Sequence, residues 1–187
     1  MSYRQFAVLV LCSLSLASCY IKGLTNGYKR LIDSEKELIV FKSQSCPAAN
    51  TDSIYLFNGL EFKKCLKEYR KAVLYRWDPN CSSKNCISLP ACELYCNKNG
   101  YELFVLLEYL DLPKQKQLPK SSKSIIMSDF KYYRSNNSDK CSGKFIEDLI
   151  SKSVKDTSIQ YKRFLFFEEG QFVYAKEKLF EASFFYK

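Results

Sequence analysis

The sequence predicts an α/β domain built on a central mixed sheet flanked by helices, and three observations predict it. "KAVLYRW" at 71–77 and "YELFVLL" at 101–107 are near-continuous apolar runs, the pattern of strands buried on both faces. Between them, "CISLPACELYCNKNG" is an apolar helical stretch ended by Asn99 and Gly100, so strand, helix and strand form a βαβ unit. Near the end of the chain, "RFLFFEEGQFVYA" at 163–175 reads as a terminal β-hairpin with Gly170 supplying the turn.

The chain opens "MSYRQFAVLVLCSLSLASCY", where Arg4 precedes an apolar run from Phe6 to Leu16 and then small residues. That is the pattern of a secretory signal over residues 1–18, too short to span a bilayer, which takes roughly 20 apolar residues. Residues 19–36 carry charges and glycines with little periodicity and predict a tether. Residues 37–187 then form a single domain, long enough to bury a core without staples. Within it, "ELIVF" at 37–41 and "SIYLF" at 53–57 read as short strands. Asn58 caps a helix on which Leu60, Phe62, Cys65, Leu66 and Tyr69 recur at helical spacing. "SIIMSDF" at 124–130 reads as a further strand, and "GKFIEDLIS" at 143–151 as a helix presenting Phe145, Ile146, Leu149 and Ile150 on one side.

Composition narrows the function classes. Formal net charge is +9, which draws the protein to anionic surfaces, yet the charges are dispersed. The acid-free stretch at 112–124, with Lys114, Lys116, Lys120 and Lys123, reads as a solvated loop, with contact to lipid head groups or a partner as the alternative. Basic and aromatic residues do not interleave, so no nucleic-acid partner is expected. The chain has no histidine, which removes Ser/His and Cys/His nucleophiles and mixed Cys/His zinc sites.

The chemistry therefore rests on cysteine. In "VLYRWDPNCSSKNC", Cys81 and Cys86 follow a buried strand directly. Were residues 81–86 all helical, the two Cα atoms would lie about 8 Å apart, beyond the roughly 7 Å that a disulfide tolerates. Cys81 therefore sits in the loop before the helix, which begins between Asn85 and Leu89, with Pro90 early in it. A disulfide is then feasible. The helix N-terminus and Lys84 would favour a thiolate, and the loop should leave Cys81 the more exposed of the two. Asp78 reads as a turn residue before Pro79, or alternatively as an acid that moves protons.

Cys92 and Cys96, one helical turn apart, read as buried small hydrophobes. A four-cysteine metal site with Cys81 and Cys86 is disfavoured, because the spacing lacks the CxxC knuckles of zinc sites; no metal and no organic cofactor are expected. Cys65 reads as core, while Cys46 and Cys141, both in polar loops, are the better candidates for a second disulfide. Of nine cysteines, setting aside Cys12 in the signal and Cys19 leaves an odd number, so at least one stays outside any internal pair.

Two resemblances enter on these residues. "LASC" at 16–19 resembles the lipobox of bacterial lipoproteins, which implies lipidation at Cys19 and membrane lipid as a partner through the acylated cysteine. The alternative is an ordinary cleavage site. "VLYRWDPNCSSKNCISLP" resembles the active-site region of thioredoxin-like lipoproteins and periplasmic thiol oxidoreductases, with Trp77, Cys81, Cys86 and Pro90 matching in order. The resemblance covers roughly residues 53–175 and implies a thioredoxin-like fold. It departs from the family in two ways: four residues separate the cysteines where the family has two, and the cis-proline before the penultimate strand has no counterpart in "SIQYKRF". What it implies is a membrane-anchored protein, exported to the periplasm or cell surface, that exchanges thiols and disulfides with exported proteins or a redox partner. Cys81 would attack and Cys86 resolve. The alternative is a redox-inactive module of the same fold that binds a protein or peptide, with the cysteine loop serving structure.

Overall fold

A computed structural model describes residues 24–41, 46–47, 52–81, 86–112, 124–153, 159 and 162–179. The signal, Cys19, Lys84 and nearly all of the lysine-rich stretch at 112–124 lie outside them. The described strands are β1 (Ile39–Phe41), β2 (Ile54–Phe57), β3 (Lys71–Trp77), β4 (Glu102–Leu107), β5 (Ser124–Ser128), β6 (Phe164–Glu168) and β7 (Gln171–Lys176). The helices are α1 (Asp33–Lys36), α2 (Gly59–Leu66), α3 (Leu89–Asn99) and α4 (Ser138–Ile150), and a 3-10 turn spans Tyr28–Arg30.

The strands form one mixed sheet in the order β1-β2-β5-β4-β3-β6-β7. From β1 to β3 all neighbours are parallel, while β6 and β7 run antiparallel to what precedes them. The α/β class, the mixed sheet, the flanking helices and the terminal hairpin are all present. Leu74 pairs with Phe104 in register, and the Phe62 ring of α2 lies 5.2 Å from Phe104 and 5.8 Å from Phe145 of α4. Helices α2 and α4 therefore cover one face. Tyr75, one residue on from Leu74, points to the other, where α3 packs. Leu74, Tyr75, Phe62, Phe104 and Phe145 are essentially inaccessible to water.

Local chemistry fixes the ends of the elements. Asn58 Oδ1 accepts from the Glu61 amide at 2.9 Å and caps α2. Gly100, at φ 70°, closes α3 in the left-handed conformation that glycine tolerates. The hairpin turns on Glu169 and Gly170, both at positive φ, the backbone of a two-residue turn matched to strand twist. Helix α4 starts at Ser138, with Asn137 Oδ1 accepting from Lys140 N at 2.8 Å, and so reaches further back than its apolar run alone suggested.

Two expectations need correction. The tether expected over 19–36 gives way to packed chain from Leu24 onward. Thr25 bridges Asn137, the Asn26 carbonyl accepts from Leu110 N at 2.9 Å, and Asn26 and Leu31 are buried. The pairing expected between Cys46 and Cys141 is also wrong: Cys46 is bonded to Cys65, with Cα atoms 5.1 Å apart. The early start of α4 is the reason. It carries Cys141 into the core as a buried thiol that donates to the Ser135 carbonyl at 3.1 Å.

The contact between α2 and α4 leaves no room at Gly59. A Cβ there would meet the Phe145 carbonyl and the Asp148 side chain at distances no real Cβ adopts. Gly59 N also donates to the Tyr133 hydroxyl at 2.8 Å, which in turn donates to Asp148. Gly59→Ala should therefore cost about 1–3 kcal/mol through overpacking. A urea midpoint lowered at unchanged slope would show it; an unchanged midpoint would contradict this packing.

Candidate functional site

The cysteine pair lies where β3 gives way to α3. Cys81 and Cys86 are joined, with Cα atoms 6.0 Å apart, inside the range a disulfide spans without moving backbone. Helix α3 begins only at Leu89, with Ser88 Oγ accepting from Ala91 N at 3.4 Å and Pro90 in the first turn. Both cysteines thus precede the helix, and Cys86 stands two residues ahead of its cap. Both cysteines are half-buried.

Each arm of the loop is pinned to the sheet. On the Cys81 side, Asp78 Oδ1 accepts from Asn80 N at 2.8 Å, and Cys81 N donates to the Asp78 carbonyl at 3.1 Å, a turn of the kind aspartate favours. Tyr109, just past β4, donates from its hydroxyl to Asp78 Oδ1 at 2.8 Å. Asn80 Nδ2 donates both to that hydroxyl at 2.6 Å and to Asp111 Oδ2 at 3.0 Å. Asp78 thus makes the turn read for it at this position. On the Cys86 side, the Tyr75 hydroxyl donates to the Ile87 carbonyl at 3.0 Å. Trp77, buried at the end of β3, accepts at its carbonyl from Glu108 N at 3.1 Å, which keeps β3 and β4 in register up to the loop.

Sequence reading found Trp77, Cys81, Cys86 and Pro90, and the structure brings them to one junction. It missed Tyr75, Asn80, Tyr109 and Asp111. One signal was present: a tyrosine inside or just after a buried strand must find a partner for its hydroxyl. Burial is the main reason both phenols hold their protons, at a pKa pushed up to about 12 for each. At Tyr75 the nearby Arg163 guanidinium works against that rise, and at Tyr109 the Asn80 amide does. Arg163 occupies the residue before β6, and its carbonyl accepts from Arg76 N at 2.8 Å. No cis peptide bond occurs among the described residues.

The other cysteines of α3 are different in kind. Cys92 and Cys96 are fully buried thiols, and burial drives the Cys92 pKa upward, with Cys96 and Glu93 adding to the rise. Burial that raises a thiol's pKa lowers its reactivity at neutral pH. Among the described residues, no group of three or more His, Cys, Asp or Glu side chains is placed to hold a metal ion. The Cys81–Cys86 disulfide, by contrast, sits on a loop braced at both arms.

Compared with known proteins, the chain matches no family model, no curated protein and no solved structure.

Tyr109→Phe keeps the ring but removes the hydroxyl that serves Asp78 and Asn80. It should destabilise the domain by about 1–2 kcal/mol. By loosening the closed loop it should also make the Cys81/Cys86 couple more oxidising, by on the order of 20 mV on a scale where 30 mV is 1.4 kcal/mol. Urea titration and redox equilibration would read the two effects, and an unmoved potential would show that the network does not brace the pair. A second consequence is alkaline. Tyr75 and Tyr109 bind their protons more tightly folded than unfolded, so their contribution is whole below pH 10 and is lost as pH rises towards 12. Unfolding free energy measured across that window should fall, and less steeply in Tyr109→Phe.

Proposed function

We propose that this chain is an exported, lipid-anchored thioredoxin-like protein that exchanges thiols and disulfides through Cys81 and Cys86. One observation carries the reading: the pair bridges a loop between a strand hydrogen-bonded on both sides and the helix that follows it. The element order supports it. Strand β3, helix α3 and parallel β4 are followed later by α4 and an antiparallel pair, with α2 and α4 on one face and α3 on the other. Strand β5 sits between β4 and β2, and β1 extends the edge, as additions to that plan.

In the reducing direction, the Cys81 thiolate attacks a substrate disulfide, forming a mixed disulfide and releasing one substrate thiolate. Cys86, deprotonated, then attacks Cys81 Sγ and displaces the second substrate thiolate. Two electrons pass to the substrate and the pair ends as the disulfide; the same steps reversed oxidise a dithiol. The protein partner is an exported disulfide protein, and a second redox protein must reset the pair.

A redox-inactive binding module of the same fold is the competing reading: no proline stands just before β6, and Cys86 lies too far ahead of α3 to gain the full benefit of the helix dipole.

The reduction potential of the pair separates the two. Equilibration against a glutathione series, read by mass spectrometry of alkylated peptides, should give a value between about −120 and −270 mV for an exchange protein. A value below about −300 mV is that of a structural disulfide and would leave the binding module.

A further inference from the structure

One end of the domain combines exposed apolar and basic side chains, and the chemistry just proposed does not use them. The segment 24–32 runs beside the segment 130–138. Thr25 bridges Asn137, Asn26 N donates to the Asn136 carbonyl at 2.8 Å, and the Tyr28 ring lies 5.0 Å from Phe130. The Lys131 ammonium sits 3.7 Å from the centre of the Phe41 ring and 5.9 Å from that of Tyr28. Within these two segments Ile32 is 64% exposed, Leu24 53% and Tyr132 51%. Lys29, Lys131 and Arg134, all exposed, stand among them. Single exposed apolar residues need no explanation. Three on two adjoining segments, interspersed with cations, form the composition of an interfacial membrane surface.

We propose that this pole of the domain rests on an anionic lipid bilayer. The inference rests on the anchored reading given above, and the chain itself supplies the geometry. Four residues lie between Cys19 and Leu24, a five-step span of at most about 18 Å when fully extended. Acylation at Cys19 would hold Leu24, and with it the 24–32 surface, within that distance of the head groups. The charge fits the same occupant, since each Lys or Arg near an anionic leaflet strengthens attachment about fivefold. The arrangement has a consequence for the cysteines. Segment 129–135 follows β5 and the Cys81 turn follows β3, and in a parallel run both lie past the same edge of the sheet. Two strand spacings, about 10 Å, separate them. The pair would therefore work close to the membrane, on disulfides in membrane-proximal segments of its substrates.

Hydrogen exchange of the full chain, purified from membranes and reconstituted in vesicles, tests this. On vesicles with about a third phosphatidylglycerol, peptides covering 24–32 and 130–136 should be protected relative to phosphatidylcholine vesicles, while the β6–β7 hairpin is unchanged. The exposed double reversal Lys29→Glu with Lys131→Glu should lose that protection, and Ile32→Ser should weaken it while leaving the hairpin's exchange as in the parent chain. Protection equal on both lipids, or none while the protein still floats with the vesicles, overturns the proposed surface and leaves the anchor standing. The mass of the N-terminal peptide reads the anchor separately: an unacylated chain that is still protected on anionic vesicles sustains the surface and removes the anchored reading.

Discussion

The strand Lys71–Trp77 is hydrogen-bonded along both edges, to β4 in parallel and to β6 in antiparallel sense, and helices pack on both its faces. Its side chains from Ala72 to Tyr75 are withdrawn from water. A strand in that position has no freedom to slide, because a one-residue slip would carry every side chain to the opposite face. The point at which it ends is therefore fixed, and so is the point at which the chain turns toward α3. The cysteine loop inherits its placement from this constraint. Neither arm of the loop could be braced if the strand beneath it were at an edge and free to shift.

Bracing comes from the two neighbours on either side of the junction. Tyr75 reaches from β3 itself to the Ile87 carbonyl, and Tyr109 reaches from the end of β4 to the Asp78 turn. Both phenols are buried, and a buried hydroxyl without a partner is costly, so each is committed to its bond. The loop is tied at the residues that precede Cys81 and at the residue that follows Cys86. A disulfide closed between two tied ends gives up less chain entropy than one closed in an open loop. This favours the oxidised pair. Thiol exchange requires that the preference stay moderate, and a braced loop that holds both cysteines ahead of the helix, away from the strongest part of its dipole, sets where the balance falls.

Most of the fold was legible because its strongest elements carry their own signals. β3 was read to the residue, since an apolar run ending at a tryptophan and an Asp-Pro turn has little ambiguity. Helix α2 was placed by Asn58, α3 was ended by Gly100, and the hairpin was given by Gly170. The N-terminal segment was misread because its packing is tertiary. Tyr28 and Leu31 are too few to make a periodic pattern, yet with Asn26 they suffice to seat 24–36 on the domain. Cys65 was assigned to the core on the strength of its helical face, which is correct as far as burial goes; that a loop cysteine would reach it depends on where β1 delivers the chain. The cysteine pair was legible from spacing and turn residues. Its support was not, because Asp78 and Tyr109 are thirty-one residues apart in sequence and meet only after β4 has paired with β3.

Thiol exchange requires that Cys81 form a covalent link to a substrate. Cys86→Ala removes the resolving thiol, so an attacking Cys81 should be caught in the mixed disulfide. The variant, expressed in the cell that makes the protein and quenched with acid, should run on a non-reducing gel as adducts of higher mass that vanish with dithiothreitol and are absent from Cys81→Ala with Cys86→Ala. Absence of adducts from a Cys86→Ala protein that is exported and as stable as the double variant would contradict thiol exchange and leave the loop a structural one.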